Sequence, residues 1–113
     1  MHELAVAEDL LATVLAEAQK VEAKRVTAVS VSVGELSGVA AESLAFYWEL
    51  LVPGTAAEGA KLRLTSQPAR AICSACGRAF RPEARSFVCP YCGSLASQLA
   101  EGEALILEAI ECE

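Results

Sequence analysis

Apolar residues recur every three or four positions through the first part of the chain, and charged residues fill the positions between them. This spacing predicts an amphipathic helix over roughly residues 4–23. Val29, Val31 and Val33 then alternate with small residues, a period of two that predicts a strand with one face buried. The pattern therefore begins as a helix followed by a strand.

Helical spacing returns over residues 42–51 and ends at Pro53-Gly54. Within this second helix, Tyr47 and Trp48 are predicted core anchors. The alternative is that their edges contact a groove of a partner protein. Alternation over 61–65 and an apolar stretch over 104–110 predict two further strands. The order predicts an α+β fold in which two helices pack on a three-stranded sheet, with an inserted, zinc-ribbon-like lobe of four cysteines.

The inserted lobe is predicted to span residues 71–96, and residues 1–70 and 97–113 are predicted to form one α+β domain. The lobe contains two knuckles of the form Cys-x2-Cys-Gly, with cysteines at Cys73, Cys76, Cys89 and Cys92. Two residues between cysteines let both sulfurs of a tight turn face one ion, and four thiolates are a common structural zinc site. Disulfides, a rubredoxin-type iron centre and redox thiols are the alternatives.

Charge and compartment narrow the function classes. The chain has 113 residues and a formal net charge of −6, which disfavours non-specific binding to nucleic acid. A local basic patch is the exception to consider, and a solvated charged face is the plainer interpretation of its residues, Arg70, Arg78, Arg81 and Arg85. We find no secretory signal and no apolar run long enough to span a membrane, so we expect a cytoplasmic protein.

The N-terminus offers a second set of metal ligands. His2 is the only histidine and follows the α-amino group of Met1. The amine, the backbone amide nitrogen and the imidazole Nδ1 can form adjoining chelate rings, and such nitrogen donors suit Ni(II) or Cu(II). A frayed, functionless terminus is the plainer interpretation.

Three segments and the two cysteine knuckles occur in the order that is typical of one family. They are Met1-His2-Glu3-Leu4, residues 33–39 (Val-Gly-Glu-Leu-Ser-Gly-Val), residues 54–60 (Gly-Thr-Ala-Ala-Glu-Gly-Ala) and the two cysteine knuckles. Over essentially its whole length the chain resembles the HypA/HybF nickel metallochaperones. The resemblance implies a non-enzymatic protein that carries Ni(II) transiently and delivers it for [NiFe]-hydrogenase maturation. The implied partners are a HypB-type GTPase and the hydrogenase large-subunit precursor.

The resemblance also implies roles for individual residues. Met1, His2 and Glu3 would bind nickel in the α+β domain, and the four cysteines would hold structural Zn(II). Glu3 has an alternative role in the first turn of the helix, where a carboxylate favours the helix dipole. Glu35 is predicted to shape a turn rather than to bind metal. The chain lacks the histidine that some relatives have in the cysteine lobe, and the loop before the second helix reads Val39-Ala40-Ala41, without the acidic residue of other relatives.

Two rival functions remain at the level of sequence. One is a zinc-ribbon module that binds nucleic acid or another protein, which the net charge disfavours. The other is an enzyme that uses Cys112 or a zinc-bound water. The sequence has no histidine other than His2 that could form a Ser/His/Asp or Cys/His arrangement. Four thiolates would leave zinc without an open coordination position.

Overall fold

The computed structural model describes residues 2–83 and 86–113. Two helices and six strands follow in the order α1 (Glu3–Lys20), β1 (Val26–Gly34), α2 (Ala41–Leu51), β2 (Lys61–Gln67), β3 (Arg70–Cys73), β4 (Ala79–Phe80), β5 (Ser97–Glu101) and β6 (Leu105–Cys112). The strands form two separate three-stranded sheets. The predicted α+β class with a four-cysteine lobe is confirmed.

The first sheet has the order β2-β1-β6, with β1 in the centre. β1 pairs parallel to β2 and antiparallel to β6. The alternating Val29, Val31 and Val33 stand in register with Leu62 and Leu64 on one side and with Ile110, Leu107 and Leu105 on the other. One face of this sheet is therefore apolar along all three strands.

Both helices cover that apolar face. α1 contributes Leu10, Leu11 and Val14, and α2 contributes Leu44 and Trp48, which have no exposed surface. Tyr47, the other predicted anchor, is only half-buried, and its ring packs edge-on against Phe46. We call this unit, formed by α1, α2, β1, β2 and β6, the helical lobe.

α1 ends three residues earlier than the periodicity predicts. The Glu22 backbone adopts a left-handed φ of 55°, its N–H donates to the Gln19 carbonyl, and the Ala23 N–H donates to the Ala18 carbonyl. This pair of bonds is a Schellman motif, which satisfies the last carbonyls of a helix. The sequence gives no warning of it because glycine, the usual residue at this position, is absent.

The second sheet has the order β4-β3-β5, all antiparallel. We call this sheet and the two knuckles, residues 70–101, the cysteine lobe. Ser97–Glu101 belongs to this sheet by hydrogen bonding, although the sequence pattern had placed residues 97–113 with the helices. The radius of gyration is 17.3 Å, against about 13 Å expected for a compact chain of this length. The molecule is elongated because the second sheet adds length instead of joining the first core.

Candidate metal centres

The two knuckles are built alike. Cys73 ends β3, and the chain turns back through Gly77, whose φ is +77° and whose N–H donates to the Cys73 carbonyl at 2.8 Å. In the second knuckle Gly93, with a φ of +75°, donates to the Cys89 carbonyl at 2.8 Å. Both turns need a backbone conformation that glycine adopts without strain. The first cysteine of each knuckle is buried and the second is exposed.

The knuckles bring four sulfurs together. All four Sγ atoms lie within 4.8 Å of one another, and the pairs Cys73–Cys92 and Cys76–Cys89 are both 3.6 Å apart. A tetrahedral ion with metal–sulfur bonds of about 2.3 Å places its sulfurs roughly 3.8 Å apart. The spacing therefore fits a four-thiolate metal site, whereas a disulfide requires sulfurs at about 2.05 Å.

The pKa values of the thiols explain why four thiolates this close together need a cation. A backbone hydrogen bond from Cys76 is the largest influence on Cys73 and lowers the pKa of its thiol to about 6. For Cys92 the Ser94 N–H favours the thiolate, but the Cys73 sulfur and burial outweigh it and raise the pKa to about 12. Without a cation the cluster cannot hold four thiolates at neutral pH, and a divalent ion reverses this by neutralising them.

His2 and Glu3 stand where α1 begins. The His2 carbonyl accepts the first helical hydrogen bond, from Val6 at 3.0 Å, and the His2 side chain is exposed. A Cβ built on Gly38 would lie 3.9 Å from His2 Cε1, so the imidazole lies beside the loop between β1 and α2. Met1, the other predicted nickel ligand at the terminus, lies outside the described residues.

Glu3 is the one buried carboxylate among the described residues, with 3% of its surface exposed. Its Oε2 accepts a hydrogen bond of 2.9 Å from the Ala40 N–H. That bond is the main reason that the pKa of Glu3 falls to about 2. The carboxylate thus tethers α1 to the loop before α2.

The other residues singled out from the sequence are dispersed. Arg70 pairs with Glu101 at 3.6 Å, Arg81 pairs with Glu35 at 2.6 Å, and the Arg78 guanidinium stacks 4.8 Å from the Tyr91 ring centroid. Arg85, the fourth arginine considered for a basic patch, lies outside the described residues. The described arginines therefore engage neighbours of this chain rather than forming one free basic surface.

Glu35 and Cys112 complete the account of the predicted positions. Glu35 lies in the turn after β1, as predicted, and it bonds to two distant parts of the chain, which sequence reasoning missed. Cys112 ends β6 as an exposed free thiol. Among the residues described, the four cysteines are the only group of three or more His, Cys, Asp or Glu side chains able to share a metal.

Comparison with known proteins decides the family. Residues 1–112 match the family model described as "Hydrogenase/urease nickel incorporation, metallochaperone, hypA". The chain belongs to the HypA family. HypA proteins are metallochaperones and maturation factors rather than enzymes, so this chain is a maturation factor with a four-cysteine group suited to a metal ion.

Relatives and solved structures agree with the assignment over the full length. The chain is 39% identical over 114 residues to "Hydrogenase maturation factor HypA" of Caldanaerobacter subterraneus subsp. tengcongensis, and all of both chains is covered. It is 34% identical over 113 residues to the protein of the same name from Prosthecochloris aestuarii, again with both chains fully covered. The nickel metallochaperone HypA from Helicobacter pylori superposes with a TM-score of 0.75 at 25% identity, covering 99% of this chain and 97% of that one.

A second solved HypA structure superposes with a TM-score of 0.78 at 25% identity and covers 100% of this chain and 97% of the other. The two-lobed arrangement is therefore that of HypA structures. Within the described ranges, neither helix combines the length and the apolar character needed to cross a bilayer.

Proposed function

We propose that this HypA-family chain binds Ni(II) at its N-terminus and delivers it for [NiFe]-hydrogenase maturation. The observation that carries the proposal is the position of His2. The sole imidazole of the sequence is exposed at the first turn of α1 and lies beside Gly38. A carrier must release its cargo, and an exposed terminal site lets another protein reach the metal directly.

The ligands proposed for nickel are the Met1 amine, the His2 amide nitrogen and imidazole, and the Glu3 backbone amide. The first turn of any helix has N–H groups without a carbonyl partner in the helix, so metal binding there breaks no helical hydrogen bond. The Glu3 side chain has a different task. Its carboxylate holds the Ala40 N–H, which keeps the loop that carries Gly38 beside the imidazole.

The four cysteines are proposed to hold Zn(II). Cys73, Cys76, Cys89 and Cys92 would fill the tetrahedral coordination of the ion, which would supply structural stability and no open position for chemistry. The two metals are thereby kept apart. Nickel has the nitrogen donors at the terminus, and zinc has the thiolates.

Delivery requires partners, and we propose a HypB-type GTPase and the large-subunit precursor of a [NiFe]-hydrogenase, both in the cytoplasm. The test uses purified protein with its native start, loaded with radioactive nickel and mixed with the metal-free precursor with and without the GTPase. We expect nickel to move to the precursor from the wild type. A His2→Ala variant should transfer none above the level of free nickel, and equal transfer from both proteins would refute the proposal.

A further inference from the structure

The loop from Glu35 to Ala40, here called the bridging loop, contacts both candidate metal regions. It leaves β1 at Gly34 and enters α2 at Ala41. One end lies against the junction between the lobes, and the other lies against the start of α1.

At the junction, Glu35 bonds to two parts of the chain that the fold brings together. Its Oε1 accepts from the Ala69 N–H at 2.7 Å, where the chain enters the cysteine lobe. Its Oε2 accepts from Arg81 Nη2 at 2.6 Å, directly after β4. One carboxylate therefore holds both the backbone leading into the second sheet and a side chain that belongs to that lobe.

The backbone around Glu35 reinforces these bonds. The Leu36 N–H donates to the Gly102 carbonyl at 2.7 Å, where the chain returns from the cysteine lobe. A Cβ on Gly34 would lie only 2.4 Å from that same carbonyl oxygen, so the two backbones touch. The two segments that connect the lobes, at Ala69 and at Gly102, therefore both contact the first residues of the bridging loop.

The far end of the loop faces the proposed nickel site. The Ala40 N–H donates to Glu3 Oε2 at 2.9 Å, and Gly38 packs near the His2 ring. Between the two ends, Ser37 Oγ accepts from the Val39 N–H at 3.2 Å, which keeps the turn tight. A displacement of Glu35 would therefore be carried through a short, internally bonded segment to the residues around the imidazole.

We infer that Glu35 is a positioning residue that holds the cysteine lobe and the nickel-binding terminus in one arrangement through the bridging loop. The inference rests on the proposed nickel site. Among the described residues, the Glu35 carboxylate bonds to Ala69 and Arg81 and to no proposed metal ligand; it acts through these two on one side and through residues 36–40 on the other. Loss of its carboxylate loosens the cysteine lobe and weakens nickel binding together.

The two hydrogen bonds of the Glu35 carboxylate differ in strength. The pair with Arg81 is largely exposed, with 59% of the arginine side chain and 36% of the glutamate side chain accessible, so solvent screens it. The bond from the Ala69 N–H is partly buried and charge-assisted, which makes it the stronger one. Glu35→Gln keeps an acceptor for Ala69 and loses the charge, so its effect should fall between those of the wild type and Glu35→Ala.

The test measures lobe motion and nickel affinity on the full chain with a native start and one zinc ion per chain. Backbone ¹⁵N relaxation of the nickel-free protein gives separate tumbling times for β1, β2 and β6 and for β3 and β5. We expect the two tumbling times to coincide in the wild type and to separate in Glu35→Ala. We expect the same variant to raise the nickel Kd by about 3- to 10-fold, below the 10- to 100-fold that is typical of direct outer-shell partners.

A matched control and a second variant keep the test decisive. Glu58 also accepts a backbone N–H with its carboxylate, from Gly54 at 3.0 Å, in a loop away from the junction, so Glu58→Ala should change neither readout. Arg81→Ala removes only the exposed partner and should move both readouts in the same direction, by less. It takes the place of Glu35→Ala if that variant does not fold.

The outcomes separate this inference from the proposed function. If wild type and His2→Ala bind nickel alike, the proposed nickel site has failed, and the inference fails with it. If nickel binding depends on His2 but Glu35→Ala leaves either the tumbling times or the nickel Kd unchanged, the inference alone is refuted. An effect of Glu58→Ala equal to that of Glu35→Ala would also refute it, because the junction would then have no special role.

Discussion

Glu3 combines near-complete burial with a carboxylate that stays ionised. Burial alone would raise the pKa of the side chain. Hydrogen bonds to the ionised carboxylate, of which the bond from the Ala40 N–H has the largest effect, outweigh burial, and the pKa falls to about 2 from an ordinary value of 4.5. The Glu3 carboxyl group therefore ionises more readily in the folded protein than in the unfolded chain.

The sign of this shift predicts how folding stability depends on pH. A group whose pKa is lowered by folding contributes stability that is fully present above its ordinary pKa and is lost as the pH falls through the folded value. We expect the melting temperature of nickel-free wild type to exceed that of Glu3→Gln at pH 6. The difference should shrink steadily between pH 4.5 and 2. A difference that stays constant across this range would contradict the assigned role of the carboxylate.

Sequence reasoning identifies the ligand types but not the tethers between distant residues. Two cysteines at a spacing of three define a knuckle whatever surrounds them, so the four-sulfur cluster is predictable. The partners of Glu35 lie 34 and 46 residues away, and the partner of Glu3 lies 37 residues away. No local pattern encodes such pairs, since they exist only once the lobes and loops are packed.

At the scale of elements, α2 contains large apolar residues that differ sharply in burial. Trp48 has no exposed surface and packs into the core between the helices and the first sheet. Leu50, two positions later, is 60% exposed. Both are large and apolar, but they point to opposite sides of the helix.

This contrast gives a stability prediction. Trp48→Ala should lower the free energy of unfolding by about 3–5 kcal/mol, because it removes a large buried side chain and leaves a cavity. Leu50→Ala on the same helix should change it by no more than about 0.5 kcal/mol. Urea titrations followed by far-ultraviolet circular dichroism measure both. Similar losses for the two variants would mean that α2 does not pack as described.

The elements that sequence patterns predict are those with an apolar face. α1, α2, β1, β2 and β6 all carry one, and all five were expected. β3, β4 and β5 are not predicted, because they have between two and five residues and their sequences do not alternate apolar with polar residues. Backbone pairing of β3 with β4 and with β5 arranges these strands in the sheet, and the apolar cluster that they bury is small.

At the scale of the whole molecule, the two lobes are stabilised in different ways. The helical lobe buries a continuous apolar cluster from both helices and the first sheet. The cysteine lobe buries little beyond Ala71, Phe80 and two of the cysteines themselves. A lobe with so small a core depends on its metal for folding free energy.

Removal of the metal should therefore affect one lobe and spare the other. After chelation under reducing conditions, amides of β3 and β5 should exchange with solvent at least about 100-fold faster, since exchange follows the local free energy of opening. Amides of β1 and β2 should keep their protection, and added Zn(II) should restore the cysteine lobe. Hydrogen exchange read by mass spectrometry suffices. Unchanged protection of β3 and β5 in metal-free protein would contradict a structural metal.

The central claim is that nickel binds at the terminus through His2. The most direct measurement is a nickel titration of zinc-loaded protein with a native start, compared with His2→Ala and with a variant carrying two residues before Met1. We predict one nickel ion per chain for the native protein. Both variants should lose more affinity than the roughly 10- to 100-fold that is typical of losing an outer-shell partner, because each removes or displaces a direct ligand. Equal nickel affinity in all three proteins would contradict the account.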